Sequence, residues 1–197
     1  LIRGERPFLS FTAMRFVFLS GTALSTPLFP LYFVRVMKAN DAWIGVINTV
    51  QTAVLLVGYY FWANQTKRRG SRFVLLITTF SVTLYPALVA LTQHVALAAL
   101  YAGLAGIFQA GIDLVFFDEL MKRVPVNYSA TFVSFDQSLQ YLSFIIAPLI
   151  GTLLADQIGL GGGLIVSAGL RLLGFILFAI NMPKKQPVKR ILTKPTP

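Results

Sequence analysis

Charged and turn-forming residues cut this chain into six long apolar runs, and no other feature limits its fold as tightly. A helix needs roughly 20 mostly apolar residues to cross a bilayer core about 30 Å thick. Only helices and closed barrels satisfy every backbone polar group in that medium. The runs predict spanning helices over residues 11–34, 42–64, 72–91, 95–117, 128–155 and 164–182. They are too long for spanning strands of about 9–11 residues, and none alternates polar with apolar. The first run is too long for a signal peptide and is followed by five more of its kind. Residues 1–10 read as the end of a cytoplasmic linker. Pro183 stops the last helix, and 183–197 read as a basic cytoplasmic tail. The expected fold class is an all-α membrane protein with six transmembrane helices.

Composition supports lipid as the solvent. Of the 197 residues 56% are hydrophobic and 12% charged, against about 25% charged in soluble domains. With no cysteine, disulfide scaffolds and thiolate metal sites are excluded. The net charge of +10 would suit a nucleic-acid binder, but the basic residues are placed otherwise. Arg3, Arg6, Lys67, Arg68, Arg69, Arg72, Lys122, Arg123, Lys184, Lys185, Lys189, Arg190 and Lys194 fall on one side of the predicted membrane. Only Arg35 and Lys38 fall on the other, while Arg15 and Arg171 lie inside helices. The positive-inside rule then puts both termini in the cytoplasm of a plasma (inner) membrane. It leaves no reason to invoke nucleic acid. Trp43, Trp62, Tyr32 and Tyr128 lie near predicted helix ends, where amphipathic rings anchor at the interface.

A weak internal repeat is present. Phe18-Leu19-Ser20-Gly21-Thr22-Ala23-Leu24 and Phe108-Gln109-Ala110-Gly111-Ile112-Asp113-Leu114 share one pattern. Ala63-Asn64-Gln65 is echoed by Ala155-Asp156-Gln157. Two three-helix units fit, the second inverted because three is odd, and inverted repeats are a common plan of secondary transporters.

Three segments then suggest a family. The turn Ala63-Asn64-Gln65-Thr66-Lys67-Arg68-Arg69-Gly70-Ser71-Arg72 looks like a Gly-x-x-x-Asp-Arg-x-Gly-Arg-Arg loop, matched at Arg68, Gly70 and Arg72. Ala63, Lys67 and Ser71 depart from it. Pro148-Leu149-Ile150-Gly151-Thr152-Leu153-Leu154-Ala155-Asp156 and Pro27-Leu28-Phe29-Pro30-Leu31-Tyr32 are the other two. With six helices and the charge placement, the chain resembles the C-terminal six-helix half of the major facilitator superfamily, over nearly its whole length. The resemblance implies two inverted three-helix repeats, a twelve-helix functional unit and a substrate path between halves. The missing N-terminal six-helix half would then be a partner, and a start at Leu1 within a charged segment suits a preceding linker. By itself, Gly70 permits a tight reversal. The cations Lys67, Arg68 and Arg72 can anchor at anionic headgroups or latch onto another half.

Ionisable groups inside spans mark function or a pair. Arg15, Asp113, Asp136 and Arg171 sum to zero charge. Arg15, Asp113 and Asp136 share the cytoplasmic half of the membrane by depth, so Arg15 can pair with either carboxylate. Arg171 sits mid-span, where a carboxylate would remove most of its cost. Helical spacing aligns Arg15, Thr22 and Thr26; Asn48, Gln51 and Thr52; Gln109 and Asp113; and Asp136, Gln140 and Ser143. Cavity lining and interhelical hydrogen bonding both account for these stripes. The cavity candidates are therefore Arg15, Thr22, Asn48, Gln51, Gln109, Asp113, Asp136 and Gln140, with the third and sixth helices as scaffold. His94 reads as a solvated loop residue. No metal-spaced cluster, phosphate-cradling loop or nucleophile–base set is evident, so neither enzyme activity nor a cofactor is expected. The reading is secondary active transport of a small solute by alternating access, with lipid and solute as partners. The rivals are a non-transport scaffold or sensor with this fold, and a self-contained six-helix carrier acting as a dimer.

Overall fold

The structure is a computed structural model that describes residues 4–125 and 128–181. Arg3, Pro183 and the basic tail 183–197 lie outside the described residues. Within them every regular element is helical: α1 (Arg6–Ser25), α2 (Leu28–Arg35), α3 (Asp41–Arg69), α4 (Ser71–Leu91), α5 (Val95–Met121) and α6 (Ser129–Asn181). Five segments are long and apolar enough to cross a membrane, with α1 and α2 together forming the first. α6 is 53 residues long, about 80 Å of helix against a core of about 30 Å. It contains one non-helical residue, Gly159, at φ 80 and ψ 161. The helical stretches 129–158 and 160–181 flank it, and both pack on α1. Ser20 meets Ser143 of the earlier stretch, and Gly21 meets Ser167 and Arg171 of the later one.

Several expected boundaries are corrected, each for a local reason. Residues 6–10 belong to the bundle and not to a linker. Pro7 sits in the first turn of α1, where its missing N–H costs nothing, and Phe8 is fully buried. The first predicted run breaks at Thr26 and Pro27. Pro27 cannot donate to the Ala23 carbonyl, which instead accepts from the Thr26 N–H at 3.2 Å. The basic turn is mostly helix. Lys67, Arg68 and Arg69 form the last turn of α3, where cations complement the helix dipole. Gly70 alone, at φ 85, makes the reversal into α4. The Gly-rich turn expected over 156–163 likewise shrinks to Gly159. At the end of α2, Lys38 takes a left-handed conformation (φ 53), and the Ala39 N–H closes onto the Phe33 carbonyl at 2.9 Å.

Packing follows the rules of lipid rather than water. Apolar side chains gain little by leaving hydrocarbon, so helices associate through close approach of small residues. α3 and α5 touch in this way: a Cβ on Gly58 would stand 2.8 Å from the Ile107 carbonyl oxygen. Gly111 meets Thr78 of α4 and Trp62 of α3. An aromatic cluster fills the bundle near the start of α1, with Phe18 against Phe116 at 5.8 Å and Phe11 against Phe178 at 5.9 Å. Outward-facing Leu56, Val57, Leu149 and Ile180 leave a greasy exterior. Two expected interface rings are in fact internal. Trp62 is buried and donates its indole N–H to the Ile107 carbonyl at 2.7 Å. Tyr32 is buried and donates to the Ala90 carbonyl at 2.9 Å. Trp43 and Tyr128 are exposed.

Candidate functional site: a polar cavity and two charged clusters

A cavity of about 320 Å³ opens among α1, α2, α3, α4, α5 and the later stretch of α6. That volume suits a small molecule. Thr22, Asn48, Gln51 and Gln109 of the sequence-based candidates line it. Ser25, Tyr85 and Arg171 join them, with Phe29 and Phe33 supplying apolar wall. The third and sixth predicted helices are therefore not plain scaffold, since Val82, Tyr85 and Arg171 come from them.

Arg171 differs most from expectation. It is 3% exposed and has no carboxylate partner among the described residues. Its Nη1 donates to the Val82 carbonyl at 3.2 Å and its Nη2 to the Ser25 hydroxyl oxygen at 2.6 Å. The reason is local to α4. Pro86 has no N–H, so the Val82 carbonyl one turn earlier lacks its helical donor. The guanidinium fills that vacancy. Ser25 gives its own proton to the Thr22 carbonyl at 3.0 Å and accepts from Arg171. Gly21 lets this happen: a Cβ there would stand 2.8 Å from Arg171 Cγ. The signals in the sequence were Pro86, Gly21 and Arg171 themselves, but nothing in it says that the three face one another.

Arg15, Asp136 and Gln140 lie outside the cavity lining and form a seam between α1 and the earlier stretch of α6. Arg15 Nη1 and Asp136 form an ion pair, with Asp136 1% exposed. Thr12 donates to Asp136 at 3.2 Å, and Gln140 donates to it at 2.6 Å. Gln140 also accepts from Arg15 Nη2 at 3.3 Å. The Arg15 guanidinium lies over the Phe116 ring at 5.2 Å from its centroid. Of the two carboxylates open to Arg15 from depth alone, the geometry pairs it with Asp136.

Asp113 is exposed and stands one turn along α5 from Gln109. Gln109 Nε2 and the Tyr59 hydroxyl each donate to it at 2.9 Å. Asp113 thus has neutral hydrogen-bond donors and no direct ion pair among the described residues.

A further cluster sits where α5 ends. Buried Glu119 accepts from Ser71, from Lys122 at 3.0 Å and from Arg123 at 2.6 Å. Arg123 lies over Phe11, 4.6 Å from the ring centroid. These contacts tie α4, α5 and α1 together. Burial opposes the charge of Lys122, but hydrogen bonds to Asp118 and Glu119 outweigh it and hold its pKa above the ordinary lysine value. Of the basic-turn residues, Lys67 and Arg68 are exposed and Arg72 is half-buried.

An apolar helical bundle with five segments long enough to cross a bilayer, and a polar cavity among them, is the architecture of a polytopic membrane protein. Residues 11–196 match the Major Facilitator Superfamily, and the chain belongs to that family of membrane transporters. It is similar to the multidrug resistance protein MdtG of Serratia proteamaculans, 29% identical over 191 residues, covering 91% of this chain and 45% of that protein. MdtG of Citrobacter koseri is 26% identical over 183 residues, covering 88% of this chain and 44% of that protein. MdtG of Escherichia coli K12 is 27% identical over 185 residues, with the same shares. The chain thus spans a little under half the length of these curated relatives.

Proposed function

We propose that this chain is the second half of a longer secondary transporter that moves a small solute by alternating access. The observation that carries the reading is the polar cavity. A lipid-solvated bundle has no packing reason to gather Thr22, Asn48, Gln51, Gln109 and Arg171 around open space. Relatives of about twice this length are consistent with a missing partner half.

Six spans arranged as two inverted repeats belong to the same reading. A length of about 80 Å favours two crossings for α6, with the reversal at Gly159. Number the spans one to six and exchange one with four, two with five, and three with six. The contacts between spans one and five (Gly151 at Leu24) then map onto those between four and two (Gly58 at Ile107). Gly21 against Arg171 maps likewise onto Gly111 against Thr78, 90 residues after Gly21 in the same sequence echo. This exchange favours a pseudo-two-fold relation. Lys67, Arg68, Arg69, Lys122 and Arg123 would face the cytoplasm of the inner membrane, and both termini would lie on that side.

The multidrug resistance named in the relatives makes drug-like solutes the first cargo to try. Asp113 is the better coupling candidate of the two carboxylates, since it is exposed and free of direct ion pairing whereas Asp136 is locked to Arg15. The test is solute flux in everted membrane vesicles carrying the natural protein. Accumulation abolished by collapsing the ion gradient, and indifferent to ATP removal, is the expected result. No flux of any solute across a broad drug panel would overturn the reading in favour of a scaffold. Unchanged gradient coupling in Asp113→Asn would remove that residue from the mechanism.

A further inference from the structure

We infer that the cavity binds the anionic group of a small organic anion, with Arg171 as its countercharge. The inference deepens the transport reading above and rests on it for the cavity's role. Arg171 is the one charged residue that lines the cavity. It is nine-tenths buried or more, and a guanidinium does not shed its proton in a protein. Its two terminal nitrogens are hydrogen-bonded to neutral oxygens, from Val82 and Ser25, and its Nε has no partner. Hydrogen bonds to a carbonyl and a hydroxyl satisfy directionality but leave a full positive charge uncompensated.

All seven acidic residues of the chain lie in the described part, and none pairs with Arg171. A cation held this way in a low-dielectric wall attracts an anion far more strongly than it would in water. The rest of the lining suits an anion too. Asn48 and Gln51 bring amide donors, and no carboxylate lines the space to repel the ligand. Phe29, Phe33 and Tyr85 supply a flat apolar wall, with Phe29 and Tyr85 stacked at 4.7 Å. A carboxylate, phosphate or phosphonate on an aromatic or aliphatic body matches this chemistry.

The probes are three isosteres that differ in charge: 2-naphthoate, 2-naphthamide and 2-naphthylmethylammonium. Each is bound to the natural full-length protein in lipid nanodiscs by equilibrium dialysis, with empty nanodiscs as the blank for partition. The expected result is naphthoate binding about tenfold tighter than the amide. Arg171→Gln is expected to erase that preference, with naphthoate and amide binding alike. Equal binding of naphthoate and amide would overturn the proposal. That outcome also covers a carboxylate contributed by another segment of the protein, which would neutralise Arg171. Unchanged naphthoate binding in a folded Arg171→Gln protein, or no naphthoate binding up to about 1 mM, would overturn it too.

If Arg171→Gln does not fold, Asn48→Asp and Gln51→Glu decide. Each adds a carboxylate to the cavity without touching the guanidinium's partners. Both are expected to weaken naphthoate about tenfold and to favour the ammonium probe, and indifference to either charge would sink the idea. Replacing the carboxylate by 2-naphthyl phosphate, with inorganic phosphate as a competitor, tells carboxylate from phosphate chemistry. Flux in vesicles separates the two proposals. Naphthoate bound but not moved leaves the anion site standing and ends the transport reading, whereas flux blind to solute charge does the reverse.

Discussion

Arg15, half-buried, and Arg171, buried, both lie between helices of an apolar bundle, and the fold treats them in opposite ways. Arg15 has a carboxylate, Asp136, and an amide, Gln140, that bonds both members of the pair. Arg171 has a carbonyl and a hydroxyl and no acid. Arg15 is therefore neutralised and serves to join α1 to the earlier stretch of α6. Arg171 joins α1, α4 and the later stretch of α6, yet leaves its charge on the cavity wall. Hydrogen-bond satisfaction and charge compensation are separate requirements in lipid. A protein that bonds the terminal nitrogens of a guanidinium and leaves its charge unpaired has kept a field at that point.

The sharpest way to break the comparison is Asp136→Asn. It strands a buried charge, and a loss of about 3 kcal/mol is expected, read as a lower unfolding midpoint in detergent. The double variant Arg15→Gln with Asp136→Asn is expected to recover most of that loss, because no charge is left unpaired. A double variant as unstable as the single one would mean that the seam is held by something other than the pair. Gly21→Ala is the next largest. Its Cβ would stand 2.8 Å from Arg171 Cγ and 2.9 Å from the Arg171 backbone nitrogen. Forcing α1 and α6 apart is expected to cost about 1–3 kcal/mol in the same unfolding measurement.

Ser25→Ala removes one acceptor from Arg171, with an expected cost of about 0.6 kcal/mol, the usual size of a hydrogen bond between membrane helices. A much larger loss would show that Arg171 depends on Ser25 as heavily as Arg15 depends on Asp136. Gly169→Ala is the smallest. Nothing lies within 4 Å of a Cβ there, and a change within about 0.5 kcal/mol is expected from circular-dichroism melting.

Legibility divides along the same line. The spans could be read because hydropathy over about 20 residues is a property of the local chain. The pairing of Arg15 with Asp113 or Asp136 could be narrowed by depth, since rise per residue sets depth along a helix. The choice of Asp136 needed the azimuth of each helix, which packing sets. Trp62 misled because α3 runs on to Arg69, which places the indole about two turns inside the helix end rather than at it. Tyr32 misled because the break at Pro27 re-aims α2 toward α4, where Ala90 and Thr92 offer carbonyls. Among the cavity candidates, Thr22, Asn48, Gln51 and Gln109 share the cavity, while Arg15, Asp136 and Gln140 form the seam. Period alone cannot separate two polar faces of equal spacing.

What the sequence determined alone was the solvent, the number of apolar runs and the uneven placement of basic charge, because each is a sum over neighbouring residues. The tertiary structure decided which polar groups face one another. Pro86 exposes a carbonyl in α4, Gly21 clears space in α1, and Arg171 arrives from a part of the chain more than 80 residues after Pro86. No local pattern records that meeting. It exists only once close approach between helices, allowed by a missing side chain, has set their rotation and depth.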